Sequence, residues 1–168
     1  MGHFRTATSL FLTLAGLDLI CGHRCPDLPD LTVSLSGPPT ASAGKAIGSL
    51  LQVTVSNQGK ADATEEFSVG LYLSTDASIT SGLILLTGGR EFVSGVPAGE
   101  SIDVGLFSGM AIPGSTSVGS YYVGVLVGEA PGYLTECDES NNYDSYPIKI
   151  VPSCPDLTVS LSGPPTAS

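Results

Sequence analysis

From residue 31 onward, apolar and polar side chains alternate in short runs. Leu31, Val33 and Leu35 alternate with Thr32, Ser34 and Ser36, and Leu51, Val53 and Val55 with Gln52, Thr54 and Ser56. Phe67, Val69, Leu71 and Leu73 alternate with Ser68, Gly70 and Tyr72. A weaker pair of runs, 83–86 and Phe92-Val93, flanks Gly88-Gly89. Ile102, Val104 and Leu106 follow, then Tyr121, Val123, Val125 and Val127, and finally Tyr146, Ile148 and Ile150. A period of two places alternate side chains on opposite faces of a strand. Gly, Pro, Asn and Asp between the runs supply the turns. No run has the 3.6-residue period of a helix.

With one face of each run apolar and the other largely hydroxylated, two sheets packed face to face are expected. The predicted fold is all-β, an immunoglobulin-like β-sandwich of about seven antiparallel strands. Gly37, Pro38 and Pro39 are expected to end the first strand in a rigid turn, and Asn57-Gln58-Gly59 to make a structural turn after the second.

Residues 29–42 read PDLTVSLSGPPTAS, and residues 155–168 read the same fourteen letters, 126 residues later. A unit of that length is too long for a solenoid and suits a domain with its own core. The expected organisation is an export segment over 1–24, a sandwich over 25–152, and a linker with the first strand of a second repeat over 153–168. The leader has Arg5, an apolar stretch over 6–16, and then Asp18. It is read as a secretory signal, although a small-residue cleavage site is not evident. Cys21 lacks the small residues expected before a lipidated cysteine. No stretch reaches the ~20 apolar residues of a membrane span.

Composition narrows the function. The net charge is −10, and beyond residue 25 the basic residues are Lys45, Lys60, Arg90 and Lys149. Without a basic stripe, nucleic acid and anionic membranes are poor partners. Both histidines, His3 and His23, lie in the leader. The domain therefore has no Ser-His-Asp or Cys-His chemistry and no His-ligated zinc. No catalytic residue is assigned, and no cofactor is expected beyond a possible Ca2+.

Several segments together suggest a family. Pro29-Asp30-Leu31 opens the period, and Val55-Ser56-Asn57-Gln58-Gly59 ends the second strand. The run from Gly119 to Val127, GSYYVGVLV, is followed by Glu136-Cys137-Asp138-Glu139-Ser140-Asn141-Asn142. This pattern resembles the CARDB repeat, the cell-adhesion-related domain of bacterial and archaeal surface proteins, over roughly 29–151. The resemblance implies an immunoglobulin-like sandwich, export, tandem arrangement and no catalysis. Where the family often has Asp after the sixth strand, this chain has Gly128.

The candidate sites follow from that frame. Glu129, Glu136, Asp138, Glu139 and Asp144 fall in a stretch free of Lys and Arg. They are candidate hard-oxygen ligands for Ca2+. The bland reading is a solvated acidic turn in which Asn141 and Asn142 bond nearby backbone. Tyr133, in the same loop, is a candidate glycan contact, and Tyr121 is read as core. In a sandwich of this topology the chain enters at the end carrying the loop between the last two strands and leaves at the other. Cys137 and Cys154 should therefore lie too far apart to bridge, which leaves Cys25–Cys137 as the expected disulfide. Cys154 takes the equivalent place before the next repeat. The expected function is a non-enzymatic adhesion or spacer repeat of a secreted or cell-surface protein. Its expected partners are neighbouring repeats and an unidentified surface protein or glycan. The alternatives are a glycan- or Ca2+-binding accessory module using the acidic loop, or an accessory domain of a secreted hydrolase.

Overall fold

A computed structural model describes residues 27–128 and 134–153. The leader, Glu129, Tyr133 and the second copy of the repeated segment lie outside the described residues. The strands are β1 (Leu31–Ser36), β2 (Thr40–Ser42), β3 (Gln52–Asn57), β4 (Ala63–Ser74), β5 (Ile84–Val96), β6 (Ser101–Asp103), β7 (Gly119–Val127) and β8 (Tyr143–Val151). They form a three-stranded sheet, β1-β3-β6, and a five-stranded sheet, β2-β8-β7-β4-β5. Two single-turn 3-10 helices, Gly48–Leu50 and Glu139–Asn141, are the described helical segments. The alternation thus produced the expected two-layer immunoglobulin-like sandwich.

The inner faces are largely those read from the sequence. Leu31, Val53, Val55, Phe67, Val69, Leu71, Leu73, Val123, Val125, Ile148 and Ile150 are all buried in one cluster. Tyr121 packs partly buried against it. Loop residues fill the rest. Ile47 and Met110 are buried, and the Ile47 N–H donates to the Met110 carbonyl at 2.8 Å.

Three local expectations change. The chain does turn at Gly37-Pro38-Pro39, but it then makes an additional strand, β2, and crosses to the other sheet. There β2 runs parallel to β8, with Thr40 opposite Lys149 and Ser42 opposite Val151. Proline supplies the break because it has no N–H for the first ladder, while its carbonyl still works: the Lys149 N–H donates to Pro39 O at 2.9 Å. A Cβ on Gly37 would collide with the Tyr146 ring and Leu51, so the crossing needs glycine. Second, 83–86 and Phe92-Val93 are not two runs paired around a turn. They are parts of one thirteen-residue strand, β5. Tyr72 faces Leu85 while Gly70 faces Arg90, so the extra residues bulge out at Gly88, whose φ is +69°. Third, the run at Ile102 pairs as a strand only over Ser101–Asp103, although the Val104 N–H still reaches the Val53 carbonyl at 2.9 Å.

The middle of the larger sheet is buried on both faces. In β4 every residue from Phe67 to Ser74 is buried, including the outward-facing Ser68, Gly70, Tyr72 and Ser74. Nearby, Ile79 from the following loop lies on Gly124, where a Cβ would strike it. Ile79 has φ +51°, an uncommon backbone for a β-branched residue.

Candidate functional site

The motif residues gather where the chain enters β1, at the end that carries the loop between β7 and β8. The local backbone dictates this. β1 is an edge strand paired on one side with β3, and Leu31, Val33 and Leu35 oppose Asn57, Val55 and Val53. The Asn57 N–H and carbonyl bond to the β6 side, at Glu100 and Gly99, so Leu31 presents its own N–H to the free edge. Unpaired edge amides must find acceptors when they are buried.

Two carboxylates supply them. Glu136 Oε2 accepts from the Leu31 N–H at 2.7 Å, and Asp144 Oδ2 accepts from the Leu35 N–H at 2.8 Å. Glu136 is only 7% exposed. Its Oε1 accepts from Asn142 Nδ2 at 3.0 Å. Burial pushes its carboxyl up to about 7, helped by the negative charges of Glu139 and Asp30, while the bonds from Leu31 and Asn142 oppose the shift.

Asn57 organises the same end from the other side and is 1% exposed. Its Oδ1 accepts from the Asp30 and Gly59 N–H groups at 3.1 and 3.0 Å, and its Nδ2 donates to the Ala61 and Val96 carbonyls at 2.8 and 3.0 Å. Asp30 Oδ1 accepts from Asn141 Nδ2 at 2.9 Å, and the Cys137 N–H donates to the Pro29 carbonyl at 2.9 Å. Asp138 caps the short helix, accepting from the Ser140 N–H at 2.9 Å and hydroxyl at 2.6 Å.

Of the five acids proposed as Ca2+ ligands, the four described ones, Glu136, Asp138, Glu139 and Asp144, are not drawn to one point. Glu136 and Asp144 hold amides four positions apart on β1, roughly 13 Å along the strand. Asp138 bonds its own helix, and Glu139 is exposed. Among the described residues no group of three or more His, Cys, Asp and Glu is placed to hold a metal. Glu129 and Tyr133 fall outside the described residues. Asn141 and Asn142 do bond nearby groups, but through side chains, to Asp30 and Glu136. Cys137 takes part in a disulfide. The other cysteines, Cys21, Cys25 and Cys154, lie outside the described residues.

Sequence reasoning missed two parts of this end. Asp30 seemed only to open the motif, and Asn57 only to make a turn. The available signal was an Asn at a strand end two residues before Gly, where its side chain can bond its own backbone. An open groove of about 490 Å3 lies elsewhere, on the outer face of the smaller sheet, among Ser34, Ser36, Gln52, Thr54 and Asp103. Its polar groups largely bond one another, as in Thr54 Oγ1 donating to Asp103 Oδ1 at 2.7 Å.

The family model for CARDB matches residues 28–145. The chain belongs to the CARDB family. Two solved structures with the same fold are similar to it. One is the CARDB domain of a Pyrococcus furiosus protein, described in complex with di-metal ions. It is 23% identical with a TM-score of 0.54, and the match covers 74% of this chain and 90% of that one. The other is a domain of a Methanosarcina acetivorans protein named for the cell surface, 23% identical with a TM-score of 0.51, covering 74% and 93%. A comparison with curated proteins gave no match. CARDB is a cell-surface-associated, non-catalytic domain family, which agrees with a domain that has no histidine. No described helix is long and apolar enough to cross a membrane.

Proposed function

We propose that this CARDB domain is an extracellular spacer or adhesion repeat of a tandem surface protein. The observation that carries the reading is the repeated fourteen-residue segment. Its first copy, 29–42, supplies β1 and β2, the pieces that begin the sandwich, and its second copy follows the last strand at the place where another domain would begin. A second identical beginning supports a string of self-contained beads joined by short proline-containing linkers such as 151–155. An antibody against residues 27–153 should label intact producing cells and lose its target when those cells are shaved with protease. Labelling confined to permeabilised cells would overturn the surface assignment.

We assign Cys25 as the partner of Cys137. The bond from the Cys137 N–H to Pro29 O supports it, because Cys25 lies four residues before Pro29. Between Cys137 and Cys154 in the sequence runs β8, whose nine residues span roughly 30 Å. Peptide mapping without reduction should recover residues 25 and 137 as one linked species; alkylation of both would rule the bridge out.

A second reading keeps the acidic end as a cation or glycan contact. It is favoured by the amide oxygens of Asn141 and Asn142, which are buried without partners beside Asp30 and Glu136. The di-metal complex of the Pyrococcus furiosus domain gives that reading a precedent. Millimolar Ca2+ should raise Tm and EDTA reverse the rise; a Tm indifferent to both removes the cation part.

A further inference from the structure

Residues 31–42 lie alongside the final strand in the same direction, although they belong to two different sheets. Thr40, Ala41 and Ser42 face Lys149, Ile150 and Val151, each at an offset of 109 residues. The bond from the Leu35 N–H to Asp144 has the same offset. Between them, Lys149 donates to Pro39 O. Nearer the start, Glu136 holds the Leu31 N–H and the Cys137 N–H holds Pro29 O. One continuous seam thus runs from the end where the chain enters to the end where it leaves.

We propose that this seam is the load-bearing element of the domain, sheared when tension is applied through the residues before Pro29 and after Val151. The inference rests on the tandem reading, since a domain linked on both sides is the one that is pulled from both ends. Two parallel neighbours pulled from opposite ends slide along each other. Hydrogen bonds lying across the strands then share the load, and many must break together. The six-pair antiparallel ladder between β1 and β3 is loaded in the same sense. By contrast, β7 and β8 form an antiparallel pair with Gly119 facing Ile150. Pulled apart at that end, they peel one pair at a time. The rate of forced unfolding reflects how many contacts the barrier must break at once.

The test is single-molecule force spectroscopy on the full chain under reducing conditions, with two handle geometries. Handles at the chain ends load the seam, and handles at Val118 and Ser153 peel β8 from β7. Pulling by the ends should need about twofold more force than peeling. Asp144→Ala should lower the end-to-end force and leave the peeling force unchanged. Asp144→Asn, which retains an acceptor for Leu35, should recover most of the loss. Equal forces in the two geometries, or an Asp144→Ala effect of the same size in both, would overturn the seam. An oxidised arm separates this outcome from the disulfide assignment. With Cys25 joined to Cys137, tension passes directly into β8, and the gain in length should fall from roughly 40 nm, the contour of the folded residues at ~3.4 Å each, to a small fraction of it. Full extension of the oxidised chain refutes the bridge, while the force comparison still decides the seam.

Discussion

The two edges of this sandwich are built differently. At one, β1 and β2 meet β8, and the free amides of the edge strand are capped by Glu136 and Asp144. The chain itself crosses from sheet to sheet there. At the other, β5 runs for thirteen residues with Leu85 and Phe92 exposed, and the chain passes from its end at Val96 to β6 in the smaller sheet through a four-residue turn. Its protection is the bulge at Gly88, the pair of backbone bonds that Thr87 exchanges with Ala111 at 2.9 and 3.0 Å, and a bond from the Phe107 N–H to Glu91 Oε1 at 2.9 Å. The first edge is closed by buried polar groups that depend on one another; the second is held by a bulge and by a few bonds to one loop. Substitutions should therefore be costly at the first and mild at the second.

The strongest break should come at Asn57. Alanine there strips two acceptor and two donor contacts from a site that water does not reach, leaving the Asp30 and Gly59 amides and two carbonyls to find new partners. We expect a loss of about 2–4 kcal/mol in urea denaturation. A loss below ~1 kcal/mol would mean that this end is not organised by that side chain.

Glu136 comes next, and here pH sharpens the contrast. The folded carboxyl titrates near 7 and the ordinary value is 4.5, so the folded state holds the proton more tightly than the unfolded chain. Its contribution to stability is complete below about pH 4.5 and is lost as pH rises through 7. With EDTA present, stability should fall between pH 5 and 8 by on the order of 2 kcal/mol, allowing for partial solvent screening. Glu136→Gln should flatten that slope. Its Oε1 can still accept from Leu31, and its Nε2 can donate to Asn142 Oδ1, which now lacks a partner, once that amide turns over. Glu136→Ala leaves the Leu31 amide buried without an acceptor and also removes the titrating group, so its cost should be largest near pH 5, at about 2–4 kcal/mol, and should shrink as pH rises through 7. A pH profile unchanged by Glu136→Gln would assign the titration elsewhere. Asp76 is held below the usual carboxylate range by bonds from Ser78 and Thr80, so it titrates beneath this window.

Asp144 is less buried than Glu136, and its Oδ1 also accepts from the Ser145 N–H at 2.8 Å. Asp144→Ala should cost about 1 kcal/mol in the same denaturation experiment, and amide exchange at Leu35 should speed up. Unchanged exchange at Leu35 would show that the carboxylate does not protect the edge.

How much of this was legible in the sequence follows from how far each interaction reaches. The alternation around Val53, Val69 and Val125 is local, and it identified the two inner faces because a strand repeats every two residues. β2 was invisible because three residues carry no periodicity; Thr40–Ser42 extends only because β8 offers it a ladder. The β5 bulge was misread as a turn because Gly88-Gly89 is a turn signal that does not say whether the chain reverses. The acids were recognised as a cluster along the chain, but charge spacing says nothing about which distant amide each one meets. The bond between Glu136 and Leu31 joins residues 105 apart. Asn57 and Asp30 escaped for the same reason, since a turn residue and a motif opener become one network only after β1 lies beside β3.

The smallest effect should be at the opposite edge. Phe92 is 58% exposed and faces outward opposite Ser68. Phe92→Lys removes an apolar group that solvent already reaches and adds a charge to a long edge strand. The change in stability should stay within ~0.5 kcal/mol. Association at high concentration should decrease, because an edge lysine opposes pairing with another strand. Light scattering and denaturation of the same sample separate the two readouts. A loss as large as that of Glu136→Ala would mean that Phe92 is covered in solution and that β5, no less than β1, is a closed edge; an unchanged tendency to associate would mean that β5 is not where copies of the chain meet.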